Sequence, residues 1–271
     1  MRILFYFFLA LLVCSCDTRK DAMEIRVGTM AGSDAQLMQV VQNVALEKFG
    51  LHVKIIQFTD YSQPNEALMN GEIDINVFQH QPYLIAWNAK HHGDLMPVAK
   101  SFIFPMGIYS YKVDRVKELS KGNVILIPDD ATNEARALLL MQKAGLITLM
   151  PGKDVLATPA DIISNPEQLQ IKPLDAAKLA GSLPDADAAV INSNYAIAGG
   201  LIPKRGDVSP SRKDAIYLED TDALYANVFV VRPKEKNDLK VREFVEAFHS
   251  PQVWAAAQTL FQGSAIEGWK R

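Results

Sequence analysis

The chain has 271 residues, 49% of them hydrophobic and 22% charged, with 28 Lys+Arg against 31 Asp+Glu, an ordinary composition for a folded globular protein. Disorder, collagen and a multi-span membrane protein are thereby excluded, and a length between one and two times the typical ~150 residues fits one large domain or two lobes. A net charge of −3 supplies no basic footprint for nucleic acid, so that partner is not expected.

The N-terminus reads apart from the rest. Ile3 to Val13 is uninterrupted apolar sequence preceded by Arg2, too short for the ~20 residues of a bilayer span and suited to the hydrophobic region of a signal peptide. Val13-Cys14-Ser15-Cys16 follows, and it resembles the lipobox of bacterial lipoproteins. That resemblance implies a signal peptide over 1–15, lipidation of Cys16 and a polar tether over 16–23. Both cysteines are then consumed, and the folded part has no disulfide. Acyl chains hold a protein on a membrane without any span, so the expected location is the cell membrane, lipid-anchored, facing the periplasm or the cell exterior. Asp17 resembles an inner-membrane retention signal.

From Glu24 onward, strands alternate with amphipathic helices. Glu24 to Gly28 is an alternating strand, and Ser33 with Gln36 has the spacing of a capping box at the start of a helix carrying Leu37, Val40, Val41 and Val44 inward. Val53 to Phe58 is the next strand, Pro64 to Met69 a short helix, and Gly71 to Val77 a third strand. Then come the strand Val124 to Ile127, a helix from Thr132 to Lys143 ended by Gly145, and the strands Ala188 to Ile191 and Asn227 to Val231. Two helices close the chain, one after Asn237 with Val241, Phe244, Val245 and Phe248 inward, and one opened by Ser250-Pro251 with Val253, Ala257, Leu260 and Phe261 inward.

Such alternation predicts an α/β fold of parallel sheets covered by helices. Two sets of these units predict two lobes around a cleft, because ligands of open parallel sheets sit at the carboxyl ends of strands. The expected division is lobe one over 24–112 and 226–271 and lobe two over 113–225.

Six collinear strings carry a resemblance to a known family: 58–68 (FTDYSQPNEAL), 74–84 (DINVFQHQPYL), 105–110 (PMGIYS), 127–138 (IPDDATNEARAL), 189–196 (AVINSNYA) and 225–228 (YANV). They resemble the methionine-binding lipoproteins of ABC importers, the NlpA lipoprotein family. The resemblance implies a two-lobed, type II-like periplasmic-binding-protein fold, L-methionine as ligand, and delivery to an ABC permease with its ATPase; the membrane is met through the lipid anchor only.

Burying the carboxylate or the ammonium of an amino acid without a partner is costly, and Arg136 is the candidate for the carboxylate, expected on the first turn of its helix. The alternative is a surface ion pair of Arg136 with Glu134 or Asp130. The family pattern also carries over Asn194 and Asn227 as polar ligands, and Tyr61, Phe78 and His80 as the wall of the side-chain pocket. Tyr83 joins that wall as an aromatic neighbour of a thioether. Asn192 and Asn133 stand in reserve. In the family a proline precedes the threonine-asparagine pair where this chain has Ala131, and its loss is expected to loosen the start of the helix.

No G-x-x-x-x-G-K loop, G-x-S-x-G elbow or H-E-x-x-H occurs in the sequence, five scattered histidines make no metal site, and neither an enzyme nor a cofactor is expected. The alternatives are a methionine-containing dipeptide or another small apolar amino acid as ligand, or a surface lipoprotein with mainly an interaction role. If the family reading holds, Arg136→Ala and Asn227→Ala should each weaken binding while leaving the melting temperature of the empty protein nearly unchanged.

Overall fold

The computed structural model describes residues 23–205, 213–220 and 222–270; the signal peptide, Cys16 and most of the tether lie outside the described residues. In chain order the elements are β1 (Glu24–Met30), α1 (Ser33–Phe49), β2 (His52–Phe58), α2 (Gln63–Met69), β3 (Ile75–His80), α3 (Gln81–His91), β4 (Met96–Ile103) and β5 (Gly107–Tyr109). They continue with β6 (Val124–Pro128), α4 (Ala131–Lys143), β7 (Thr148–Leu149), β8 (Ile162–Ser164), β9 (Gln170–Leu174), α5 (Leu179–Ser182), β10 (Ala188–Ile191) and α6 (Ser193–Ala198). Last come β11 (Ile202–Arg205), β12 (Asp214–Ala215), β13 (Tyr217–Leu218), β14 (Ala226–Val231), α7 (Leu239–Phe248), α8 (Pro251–Leu260) and β15 (Ile266–Glu267).

Two main sheets organise these elements. The first has the order β15-β4-β14-β3-β1-β2 and the second β13-β5-β10-β6-β9. In the first, β1 runs parallel to β2 and β3, with Glu24 opposite His52 and Met30 opposite Phe58. Its other half is antiparallel, because β14 inserts between β3 and β4 against both of them. The second sheet is likewise mixed: β6 is parallel to β9 and β10, whereas β5 runs against β10 and β13. The expectation of parallel sheets therefore holds for half of each. Its basis, strand–helix alternation, fails where the chain leaves or re-enters a sheet without a covering helix.

Each sheet is covered on both faces. Val27, Phe102, Phe229 and Val231 of the first sheet pack against Leu37, Val41, Phe244, Phe248 and Val253 of α1, α7 and α8. Its opposite face, with Val228 and Val230, meets Leu68 of α2 and Leu84 and Trp87 of α3. In the second sheet, Ile125, Ile127 and Val190 bury Ala135, Leu138 and Met141 of α4. Ala189 and Ile191 point the other way, to Leu179 and Ala196.

Local differences have local causes. Gly32, with φ at +86°, is the N-cap of α1 and no side chain caps it. Ser33 is already inside the helix, so the Ser33–Gln36 box does not form. β3 begins at Ile75 rather than Gly71, because Gly71 and Glu72 donate back to Leu68 and Ala67 to finish the turn after α2. The span 81–103, unassigned from sequence, contains α3 and β4; His80 caps α3 and Pro82 sits in its first turn, a helix start that the flanking glutamines disguise.

The chain passes from the first sheet to the second between Ile103 and Gly107 and returns between Leu218 and Ala226. The expected division at 112/113 placed 107–109 with lobe one. Pairing of β5 with β10 and β13 puts that strand in the second sheet. Three residues suffice for the crossing, too short a segment to leave a mark in composition.

Candidate functional site

The carboxyl ends of five strands, β1, β2 and β3 of one sheet and β6 and β10 of the other, converge on a single cavity. It holds about 470 Å³ of atom-free space, part of it open to solvent. Arg136, Asn194, Asn227, Tyr61, Phe78, His80 and Tyr83, the seven ligand residues expected from the sequence, all line it, as do Asn133 and Asn192.

The first sheet supplies an aromatic wall. Tyr61 follows β2, Phe78 lies on β3 and Tyr83 on the first turn of α3, with ring centroids 5.9 Å apart for Tyr61–Phe78 and 5.7 Å for Phe78–Tyr83. The Tyr83 hydroxyl donates to the Tyr61 carbonyl at 2.9 Å, which fixes one ring against the other. His80 ends β3 opposite Asn227 of β14. Its Nδ1 accepts from the Tyr83 N–H, so the proton of the neutral ring belongs on Nε2, 3.3 Å from Asn133 Oδ1. Burial, and next the field of Arg136, pulls His80 down to about 3. It is neutral throughout the physiological range.

The second sheet supplies the charge. Asp130 caps α4, its carboxylate accepting from both the backbone and the side chain of Asn133. With Ala131 where the family has proline, the helix start is held by these cap hydrogen bonds. Arg136 therefore lies on the second turn of α4, beyond the reach of most of the helix dipole. It is buried, with neither Glu134 nor Asp130 as its ion-pair partner. Its Nε and Nη2 donate to the two oxygens of Glu219 at 2.9 and 2.5 Å, and Nη2 also donates to the Phe104 carbonyl at 3.0 Å. The Tyr225 ring lies under the guanidinium at 4.2 Å. Burial opposes the charge on Arg136, but the Glu219 carboxylate outweighs it and holds the pKa above its ordinary value. Among the described residues Nη1 has no protein acceptor.

Contacts join the two sides across the cavity. Tyr61 Oη donates to Asn194 Oδ1 at 2.6 Å and Tyr195 Oη to the Thr59 carbonyl at 3.2 Å, while the rings of Tyr61 and Tyr195 lie 4.9 Å apart. On the second-sheet side itself, Asn192 Nδ2 donates to Asn133 Oδ1 at 3.0 Å. The arrangement can hold a small zwitterion with an apolar tail: a guanidinium at one end, aromatic rings at the other and amides between them.

The sequence signature of the NlpA lipoprotein family matches residues 25–269. The chain belongs to that family. A solved ABC-transporter periplasmic substrate-binding protein from Coxiella burnetii is 47% identical, with a TM-score of 0.84 over 90% of this chain and 99% of its own. A nutrient-binding protein from Burkholderia cenocepacia, solved bound to methionine, is 44% identical with a TM-score of 0.83, covering 90% of this chain and 99% of its own. The D-methionine-binding lipoprotein MetQ of Salmonella typhi is 43% identical over 263 residues, 96% of this chain and 94% of its own. The fold is thus that of the periplasmic substrate-binding proteins, as the motif strings implied.

Among the residues of the site that sequence reasoning missed are Glu219, Tyr225 and Asp34. Glu219 and Tyr225 lie on the return crossing, where no periodic element marks them, and only the Tyr225-Ala226-Asn227 string pointed there. Glu219 Oε2 also accepts from the Met106 N–H at 3.0 Å, so this carboxylate ties both crossings to Arg136. Asp34, on the first turn of α1, lines the cavity as well; in sequence it is one acid among 31 Asp+Glu.

Proposed function

We propose that this NlpA-family chain is an extracytoplasmic substrate-binding lipoprotein that captures methionine by lobe closure and delivers it to an ABC importer. The observation that carries the reading is the shared cavity, where a buried Arg136 with one open nitrogen faces the wall of Tyr61, Phe78 and Tyr83. A ligand carboxylate placed on Arg136 sends its side chain toward that wall, where a thioether gains ~0.3–1.5 kcal/mol per aromatic contact. Asn194 and Asn227 contribute amide groups from opposite sides, so contacts from both are available only when the cleft is shut.

The name of the Salmonella relative and the methionine in the Burkholderia structure support the ligand class. Lipidation at Cys16 and docking on a permease–ATPase complex complete the reading. Among the described residues no helix is long and apolar enough to cross a membrane, and attachment rests on the lipid alone.

Native mass spectrometry of the Asp17–Arg271 fragment as purified, followed by titration with L- and D-methionine after unfolding and refolding, tests this. A mass excess of one methionine, restored by added ligand, is the expected result. An excess matching a dipeptide would transfer the site to a longer ligand, and no excess with no response to either enantiomer would overturn the reading.

A further inference from the structure

Two buried acceptors in the cavity lack a partner. Asp34 is 9% exposed, and among the described residues its Oδ2 accepts no hydrogen bond; the same holds for Oδ1 of Asn192. Native folds rarely leave such atoms unpaired, since each costs free energy unless something else supplies a donor. The Asn192 amide nitrogen is already committed to Asn133. Either acceptor would be answered by a group with donors and no acceptor.

The rest of the cavity restricts where that group comes from. Glu219 already matches the charge of Arg136, and the open Nη1 is a donor fitted to a carboxylate. The aromatic wall has no donor to spare, because the hydroxyls of Tyr61 and Tyr83 are both engaged. For a ligand with its carboxylate at Arg136 and its tail on the rings, Asp34 is the carboxylate among the described lining residues that is left to meet the remaining polar substituent at its α-carbon.

We propose that the Asp34 carboxylate pairs with the α-ammonium of the bound amino acid, making Asp34 the residue that selects ammonium-bearing ligands over uncharged isosteres. This rests on the reading of the cavity as an amino-acid site. The titratable groups that share the cavity with Asp34 are Tyr61 after β2, His80 on β3, Tyr83 on α3, and Arg136 on α4 with its partner Glu219; Asp130 stands behind Asn133. The histidine is neutral and the arginine already paired, so no protein cation answers Asp34. Burial accordingly pushes its carboxyl up to about 7, against the pull of its own backbone N–H. Near neutral pH an empty, closed cleft therefore leaves Asp34 protonated in about half of the molecules. When the ammonium arrives, that proton leaves to solvent and an N–H···O⁻ contact takes its place, with no other bond changed.

The test is calorimetric titration of the protein with methionine and with 2-hydroxy-4-(methylthio)butanoate, which keeps carboxylate and thioether and replaces the ammonium by a hydroxyl. The wild type should prefer methionine by about 100-fold or more, as a site built around a polar substituent does. Asp34→Asn should shrink the preference to under about 10-fold while binding the hydroxy acid within about 3-fold of wild type, which also shows that the variant is folded. In buffers of different ionisation enthalpy, methionine should displace about half a proton from the wild type near pH 7, rising toward one as pH falls to 6, and none from Asp34→Asn. An undiminished preference in the variant, as a protonated Asp34 donating to the ligand carboxylate would give, overturns the proposal. So does an equal loss of both ligands. A wild type that binds neither compound would instead remove the methionine reading, and this inference with it.

Discussion

Arg136 and Glu219 stand 83 positions apart in sequence and form one buried ion pair. Arg136 was legible because an arginine sits at the right place in a recognisable string; its partner was not, because a carboxylate in an irregular crossing resembles any solvated acid. The pair also changes what a truncation measures. Arg136→Ala removes the proposed ligand contact and strands a buried carboxylate, so it should cost about 3–5 kcal/mol of stability in the empty protein as well as binding. The expectation of an unchanged melting temperature is withdrawn for this residue and kept for Asn227→Ala, whose side chain is half-buried and holds no ion pair. Urea unfolding of Arg136→Met, Glu219→Leu and the double variant should give a double loss smaller than the sum of the singles by more than about 1 kcal/mol. Additive losses would mean the pair is not coupled. His80 and Asp34 oblige opposite pH dependences on the empty, closed protein. His80 is held near 3, below its unfolded value, so stability drops as pH falls from about 6.5 toward 3, where only the unfolded chain binds the proton. Asp34 is held near 7, above its unfolded value, so its share is complete in acid and lost as pH rises through 7. The melting temperature of Asp34→Asn should therefore gain on wild type between pH 5 and 8, whereas that of His80→Asn, which keeps an N-capping side chain, should gain as pH falls below 6. A pH-independent difference in either would contradict the burial of that group.

Among the elements, helix interiors were easier to read than helix starts. The apolar residues of α1, α7 and α8 follow their 3.6-residue period onto one core, with Leu37, Val41, Phe244, Phe248, Val253 and Phe261 all buried. Starts depend on the dihedral angles of one residue, which Ser33–Gln36 misreported and Asp130 concealed. Asp130 has φ −74° and ψ 136°, the extended conformation that a following proline demands. Ala131 is the first helical residue, where the N–H makes no intrahelical bond and proline is at home. Ala131→Pro should hence stabilise the empty protein by about 0.4–1 kcal/mol through the unfolded chain alone, measured by denaturant midpoint at constant m-value. Asp130→Ala, by losing the cap and the anchor of Asn133, should cost about 1–2 kcal/mol. A destabilised Ala131→Pro would show that this helix start differs from the geometry described.

At the scale of the whole molecule, alternation and motif order were enough to place seven site residues around one cavity, because in this topology strand ends of both sheets share it. The crossings were not legible: three residues between Ile103 and Gly107 carry no hydropathy signal, and the antiparallel insertion of β14 depends on the order in which distant segments pair. Those crossings hold Phe104, Glu219 and Tyr225, all in contact with Arg136, so the proposed movement of the lobes and the proposed carboxylate site share the same residues. Closure under that reading is maintained by bonds that join the lobes directly, of which Tyr61 Oη to Asn194 Oδ1 is the shortest side-chain pair named across the cavity, at 2.6 Å. Tyr61→Phe deletes this bond and leaves the ring packed on Phe78, Tyr83 and Tyr195. A hydrogen bond of this kind contributes about 0.5–1.5 kcal/mol net, which is roughly a 2- to 12-fold change. Because the bond exists only after closure, the loss belongs in the dissociation rate of the ligand and not in its association rate. Stopped-flow fluorescence should record faster release from Tyr61→Phe. Tyr195→Phe, whose hydroxyl makes the longer and more exposed bond to the Thr59 carbonyl, should release ligand nearer the wild-type rate. Equal release from all three proteins would mean that ligand contacts alone, without lobe-to-lobe hydrogen bonds, keep the cleft shut.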